Sequence, residues 1–144
     1  MNIHTDNKYQ MATVLFYEAK YDSALRSINQ YIETKPRSSM AFNNRALIHL
    51  NMGNSSLAKE DIKFALELNH LNYIAYFNLF SVYSREKDLE AALLALQGAL
   101  SCLYLIKGRL TKDKQVLTKA IELSVNNIDA LLLLVLVEIG DGNY

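Results

Sequence analysis

Apolar residues along this chain fall into short runs of similar length, with polar breaks at regular intervals. The clearest pair of runs lies in 39–72, SSMAFNNRALIHLNMGNSSLAKEDIKFALELNHLN. Its apolar residues recur three or four positions apart, the spacing of a helix face. The pair is split at Met52, Gly53 and Asn54 and closed at Asn69 and His70, all turn-forming types except Met52 and His70. This pattern predicts helices near 6–18, 22–34, 39–51, 55–68, 73–85 and 89–107. Connections so short force antiparallel pairs.

The pairs repeat. Ala24, Ala58 and Ala92 stand 34 residues apart, each just inside a second helix. Ala12, Ala46 and Phe80 share another column, as do Leu15, His49 and Tyr83. Ile28, Ile62 and Leu96 are all aliphatic, and so are Ile32, Leu66 and Leu100. Phe42 and Tyr76 pair as large aromatics. Lys20, Asn54 and Asp88 precede the second helices, and Pro36 and His70 close the first two units. A period of 34 with a helix–turn–helix unit, a central alanine and a closing proline resembles the tetratricopeptide repeat. The resemblance implies an all-α fold, a right-handed superhelical solenoid of such units. It gives one helical-repeat domain over 1–144, with units 5–38, 39–72 and 73–106 and an irregular remainder, 107–144. Three positions depart from the family pattern: Lys8 replaces an aromatic, Arg45 a leucine and Lys87 the turn glycine. None touches the alanine column, where two helices approach closely.

After 106 the register slips. LTKAIELSVNN (117–127) matches the end of a repeat and IDALLLLVLVEIGDGNY (128–144) the start of another, with a turn at Gly142, Asn143 and Tyr144. The pattern gives helices near 111–125 and 128–139, and Gly98 inside the sixth helix is a candidate bend. Residues 131–137 are apolar on every side, as in a helix buried all round. A terminal repeat instead needs a polar outer face. Either this helix tucks under 111–125 as the core of the last layer, or Leu131, Leu132, Leu134 and Val135 form an assembly surface covered by a partner, a second copy or further C-terminal sequence.

In the repeat family the first helices line the concave side. Carrying its groove positions over gives Tyr9, Gln10, Thr13, Phe16 and Tyr17 from the first unit. The second unit gives Asn43, Asn44, Leu47, Leu50 and Asn51, and the third Ile74, Phe77, Asn78, Ser81 and Arg85. Gln10, Asn44 and Asn78 occupy one repeat position, and carboxamides carry both donors and an acceptor. Such a ladder can hydrogen-bond the backbone of an extended peptide. The family's two-carboxylate clamp matches only at Asn44. Its basic positions are Tyr9, Ile74 and Asn78 here, and without cations little holds a terminal carboxylate. The resemblance thus implies a non-catalytic module that docks a neutral or weakly apolar protein segment. The alternatives are a structural subunit and an accessory domain of an enzyme.

Composition narrows the picture further. Fifteen basic and fifteen acidic residues cancel, against the basic excess of nucleic-acid binders. The longest unbroken apolar run, 130–137, is far short of the roughly 20 residues of a membrane span. The first ten residues are polar, without the apolar stretch of a signal peptide. A lone Cys102 excludes an internal disulfide and points to a reducing, cytoplasmic setting. No phosphate-cradling glycine loop occurs, and His4, His49, His70 and Cys102 lack metal-ligand spacing, so no cofactor or metal is expected. The expected roles are a packed His49 with one hydrogen bond, a turn for His70, and a buried, inert Cys102.

Overall fold

The computed structural model describes residues 3–124 and 128–140. Eight α-helices run through them: α1 (Ile3–Tyr17), α2 (Tyr21–Thr34), α3 (Ser39–Asn51), α4 (Ser55–Leu68), α5 (Tyr73–Glu86), α6 (Leu89–Thr111), α7 (Lys114–Leu123) and α8 (Ile128–Gly140). The turn expected at 142–144 lies outside the described residues.

Each hairpin turns at one repeat position. Ala19, Gly53 and Lys87 are 34 residues apart, and all have positive φ, at 57°, 82° and 62°. Left-handed backbone suits glycine and costs other residues about 1 kcal/mol or more, so two of the three turns carry strain. The following residues, Lys20, Asn54 and Asp88, are the N-caps of α2, α4 and α6. Ser38 and Asn72, also equivalent, cap α3 and α5 by accepting the N–H of Ala41 at 3.3 Å and Ala75 at 3.2 Å. These bonds satisfy donors that a helix start leaves open.

Pairs α1–α2, α3–α4 and α5–α6 stack in order, α2 on α3 and α4 on α5. First helices also touch one another, α1 with α3 and α3 with α5, whereas α2 and α4, or α4 and α6, do not. The stack therefore bends, with the first helices inside. Ala24, Ala58 and Ala92 are all buried where helices approach. Phe42 meets Phe64 edge-on at 4.6 Å. One unit later Tyr76 and Gly98 hold those two positions, and a Cβ on Gly98 would lie 2.5 Å from Tyr76 Cε1. Gly98 makes room for a ring within an unbroken helix and is not a bend.

The regular pattern ends inside α6. This helix runs four residues past the expected 107, to Thr111, and stops at Lys112 in left-handed conformation, φ 53°. Gly108 lets α7 close in: a Cβ there would sit 2.3 Å from Leu117 Cδ2, and Leu117 is fully buried. Ser101 Oγ donates to the Ala120 carbonyl at 2.8 Å, tying α6 to α7. By length and composition α6 could cross a membrane, a possibility that unbroken runs conceal because Gln97, Gly98 and Ser101 interrupt it. Its small residues Ala92, Ala95 and Ala99 are buried, as in the core helix of a stack. α8 packs Leu133, Leu134 and Val137 toward Leu105, Leu117 and Ala120.

Candidate functional site

The inner face is built by α1, α3 and α5, and one hydrogen bond recurs across it. Asn44 Nδ2 donates to Tyr9 Oη at 2.8 Å, and Asn78 Nδ2 donates to Asn43 Oδ1 at 2.8 Å. Tyr9 and Asn43 are repeat-equivalent, as are Asn44 and Asn78, so each unit's amide grips the preceding first helix at the same place. Tyr9 is held further by its ring, 5.1 Å from that of Tyr31, and partial burial raises its hydroxyl pKa. Asn43 is buried. The ladder is thus not three free amides. Asn44 and Asn78 each spend one N–H internally, which fixes their orientation and leaves the second N–H and the oxygen. Gln10, on α1, is exposed.

Thr13, Phe16, Tyr17, Asn44 and Leu47 come together. With Ala12 and Ile48 they line a cavity of about 60 Å³ between α1 and α3. Thr13 turns its hydroxyl onto the Tyr9 carbonyl at 3.1 Å, presenting its methyl group, and Tyr17 is 81% exposed at the rim. Along α5, Phe77 and Ile74 are exposed. Ser81 and Asn51 donate back into their own helices, to Phe77 O at 3.0 Å and Leu47 O at 2.8 Å. Leu50 packs into the core cluster, away from a groove role. Arg85 is exposed in the last turn of α5.

A second polar group lies between α2, α3 and α4. Arg45 donates twice to Asp61, at 2.7 and 2.6 Å, and once to Asn29 Oδ1 at 3.0 Å. Its guanidinium sits 5.1 Å from the centre of the Phe42 ring. The charge that replaces the usual leucine is therefore compensated, and the Asp61 hydrogen bond raises the Arg45 pKa. The signal was present in the sequence: Asp61 stands between positions, Ala58 and Ile62, that must be buried. His49 Nε2 approaches Asp61 Oδ2 at 3.8 Å, beyond hydrogen-bond reach, and its Nδ1 is buried without a partner. The single hydrogen bond expected of His49 is not made, because Arg45 already occupies the carboxylate. Burial lowers the His49 pKa. Arg45, Asp61 and Asn29 are committed to one another and fasten three helices, while His49 stands beside them unbonded.

Cys102 is buried, donates toward the His70 carbonyl at 3.4 Å, and burial pushes its pKa to about 11, so it is not a nucleophile near neutrality. His70 lies in a turn and meets Asp129 Oδ2 at 2.5 Å, linking that turn to α8. On α8, Leu131, Leu132 and Val135 are exposed. Leu134 is not, since it packs into the core, and Leu136 takes its place on the exposed face.

The family model described as Tetratricopeptide repeat matches residues 41–69, the second helix pair. No curated protein matches the sequence. Solved structures similar to the whole chain include the TPR2B domain of yeast Sti1 in a complex with pHsp70, at 18% identity and TM-score 0.67, covering 82% of this chain and 96% of that one. The first TPR of Spaghetti (RPAP3), bound to the HSP90 peptide SRMEEVD, aligns at 19% identity and TM-score 0.59 over 96% of each chain. The Sgt2 TPR domain of Aspergillus fumigatus aligns at 16% identity and TM-score 0.60, over 98% of this chain and 81% of that one. Residues 41–69 thus match one tetratricopeptide-repeat unit, and with buried alanines at the 34-residue period the chain shares the stacked helix-pair fold of tetratricopeptide-repeat domains.

Proposed function

We propose that the inner face of α1, α3 and α5 docks an extended, neutral or weakly apolar segment of another protein. The observation that carries this reading is the cavity between α1 and α3, apolar on most sides and edged by the Asn44 amide. A peptide can place a small side chain there and pair its backbone with the open valences of Asn44 and Asn78. Tyr17 and Phe77 add contact area with little entropy to lose. Two of the similar domains hold heat-shock partners, one of them through an acidic peptide. Here Tyr9, Ile74 and Asn78 stand where a carboxylate clamp needs cations, so an acidic terminus is a poor guest.

Selection from a library of random peptides displayed on phage tests this. The selected sequences are expected to be non-acidic. Their binding should weaken about tenfold or more, a loss of about 1.4 kcal/mol, when Asn44 and Asn78 are both changed to alanine. Preferential capture of a synthetic SRMEEVD peptide would overturn the reading. A second role rests on Leu131, Leu132, Val135 and Leu136, which leave one face of α8 apolar and exposed: packing against another subunit of an assembly.

A further inference from the structure

The third unit differs from the first two in what covers its second helix. In unit one, Tyr21, Leu25, Ile28 and Ile32 pack into the cluster that holds Ala41 and Ile48 of α3. In unit two, Ile62 is fully buried beneath Ala75, Leu79 and Val82 of α5. The same columns in unit three are Leu89, Leu93, Leu96 and Leu100. No helix follows in register, because α7 packs instead on the side of α6 that carries Ser101, Leu105 and Gly108. Leu89 is consequently 75% exposed, Leu93 and Leu100 are also exposed, and Leu96 is only half-buried.

The bare face continues beyond the repeat. Leu89, Leu93, Leu96, Leu100, Leu103, Lys107 and Leu110 are spaced alternately by four and three residues, the seam of a two-helix coiled coil. Leu103 is exposed and Leu110 is 82% exposed. The seam spans about 32 Å at the helical rise. Its two ends differ in charge. Asp88 and Glu90 stand at the start of α6, and Lys107, Arg109 and Lys112 at its end.

We propose that this seam pairs with the same seam of a second copy, antiparallel about a two-fold axis through Leu100. The spacing is symmetric under that operation to within one residue: Leu89 falls beside the partner copy's Leu110, Leu96 beside its Leu103, and Leu100 opposite its own counterpart. Lys107 comes opposite Leu93, close to the acidic end. A parallel pairing would set like charges and like helix ends together, so charge selects the antiparallel form. The second α6 takes the place that α3 takes on α2 and α5 takes on α4. The pairing leaves the inner face of α1, α3 and α5 free, and two copies would present two docking grooves.

Sedimentation equilibrium of the full chain, at concentrations up to about 100 µM, tests the proposal. A monomer–dimer equilibrium is expected. Leu100→Glu, which opposes two carboxylates on the axis, should raise the dissociation constant at least about tenfold with an unchanged helical circular dichroism spectrum. Orientation is read by mixing a Leu89→Cys chain with a Leu110→Cys chain and oxidising. Disulfides should form between the two variants and not between two copies of Leu89→Cys, whose thiols lie about 30 Å apart along the antiparallel seam. This readout also decides the matter should Leu100→Glu fail to fold. A wild-type chain monomeric throughout overturns the proposal. So does a dimer indifferent to Leu100→Glu, self-linking of Leu89→Cys, or a monomer that instead co-sediments with phosphatidylcholine–phosphatidylserine vesicles.

Discussion

Units 5–38 and 39–72 and the region from 89 onward use the same residue types to opposite effect. Ile28 and Ile62 disappear under the next helix, while Leu96, in their column, does not. Tyr9–Asn44 and Asn43–Asn78 repeat one hydrogen bond between successive first helices. Beyond α5 such spacing gives way to individual solutions: Gly108 against Leu117, Ser101 on a carbonyl of α7, His70 on Asp129. A repeat position therefore has no fixed worth. Its contribution is set by whether a neighbour arrives in register to cover it, as expected of arrays whose stability is a sum over adjacent interfaces.

The largest test of that contrast is truncation within one column. Ile62→Ala should cost about 3 kcal/mol, the usual penalty for an enclosed aliphatic side chain. Leu96→Ala should cost about 1 kcal/mol in the monomer, because half the side chain already meets water. Urea unfolding of both variants checks the ratio, and equal losses would show that the next unit's cover is unimportant.

The fastening of α2, α3 and α4 comes next. Asp61→Ala leaves Arg45 without its carboxylate; since that side chain is 25% exposed and can reach water, the expected loss is about 2 kcal/mol, below the penalty for a sealed ion pair. Replacing both Arg45 and Asp61 by leucine should return stability to within about 1 kcal/mol of the parent, since no charge is left buried. Thermal and urea unfolding of the single and double variants measure the difference.

Smaller is the gain from Lys87→Gly. Relief of a left-handed lysine is worth about 1 kcal/mol or more, and the extra freedom of unfolded glycine returns about half of it. A net stabilisation of about 0.5 kcal/mol should appear as a rise in Tm. Gly53→Ala at the equivalent turn should do the reverse.

The pH response of unit two is the most delicate effect. His49 is held below its ordinary pKa by burial, so the unfolded chain binds its proton more readily than the folded one. Stability should fall as pH drops below about 6.5 and should be insensitive to His49 above it. In His49→Gln that part of the slope should vanish from unfolding curves taken across the range.

The legible part of the fold is the part governed by local pattern. The alanine spacing alone placed Ala24, Ala58 and Ala92 in buried contacts, and α3 and α4 ended where the turn residues said. Departures were readable as departures, yet not as solutions. Arg45 looked misplaced because its partner Asp61 lies on another helix, and no spacing rule links a leucine column to one acid in the next. Lys87 takes a glycine's backbone conformation without being glycine. The end of α6 was obscure for the same reason: Lys112 stops it in a conformation that no proline or glycine announces. Leu134 and Leu136 are indistinguishable in an all-apolar run, and only the packing of α8 on α7 separates them. On the inner face, Thr13, Phe16, Tyr17, Asn44 and Leu47 meet at one cavity while Tyr9, Gln10, Asn43, Leu50 and Asn51 do not, and the internal bonds of Asn44 and Asn78 needed three dimensions to be seen.

Amide NMR of the labelled chain titrated with a phage-selected peptide reads whether a partner segment lies along the first helices. Shifts should concentrate at Thr13, Phe16, Asn44, Leu47, Phe77 and Asn78. Shifts confined to α6, α7 and α8, with α1 and α3 unmoved, would contradict that placement.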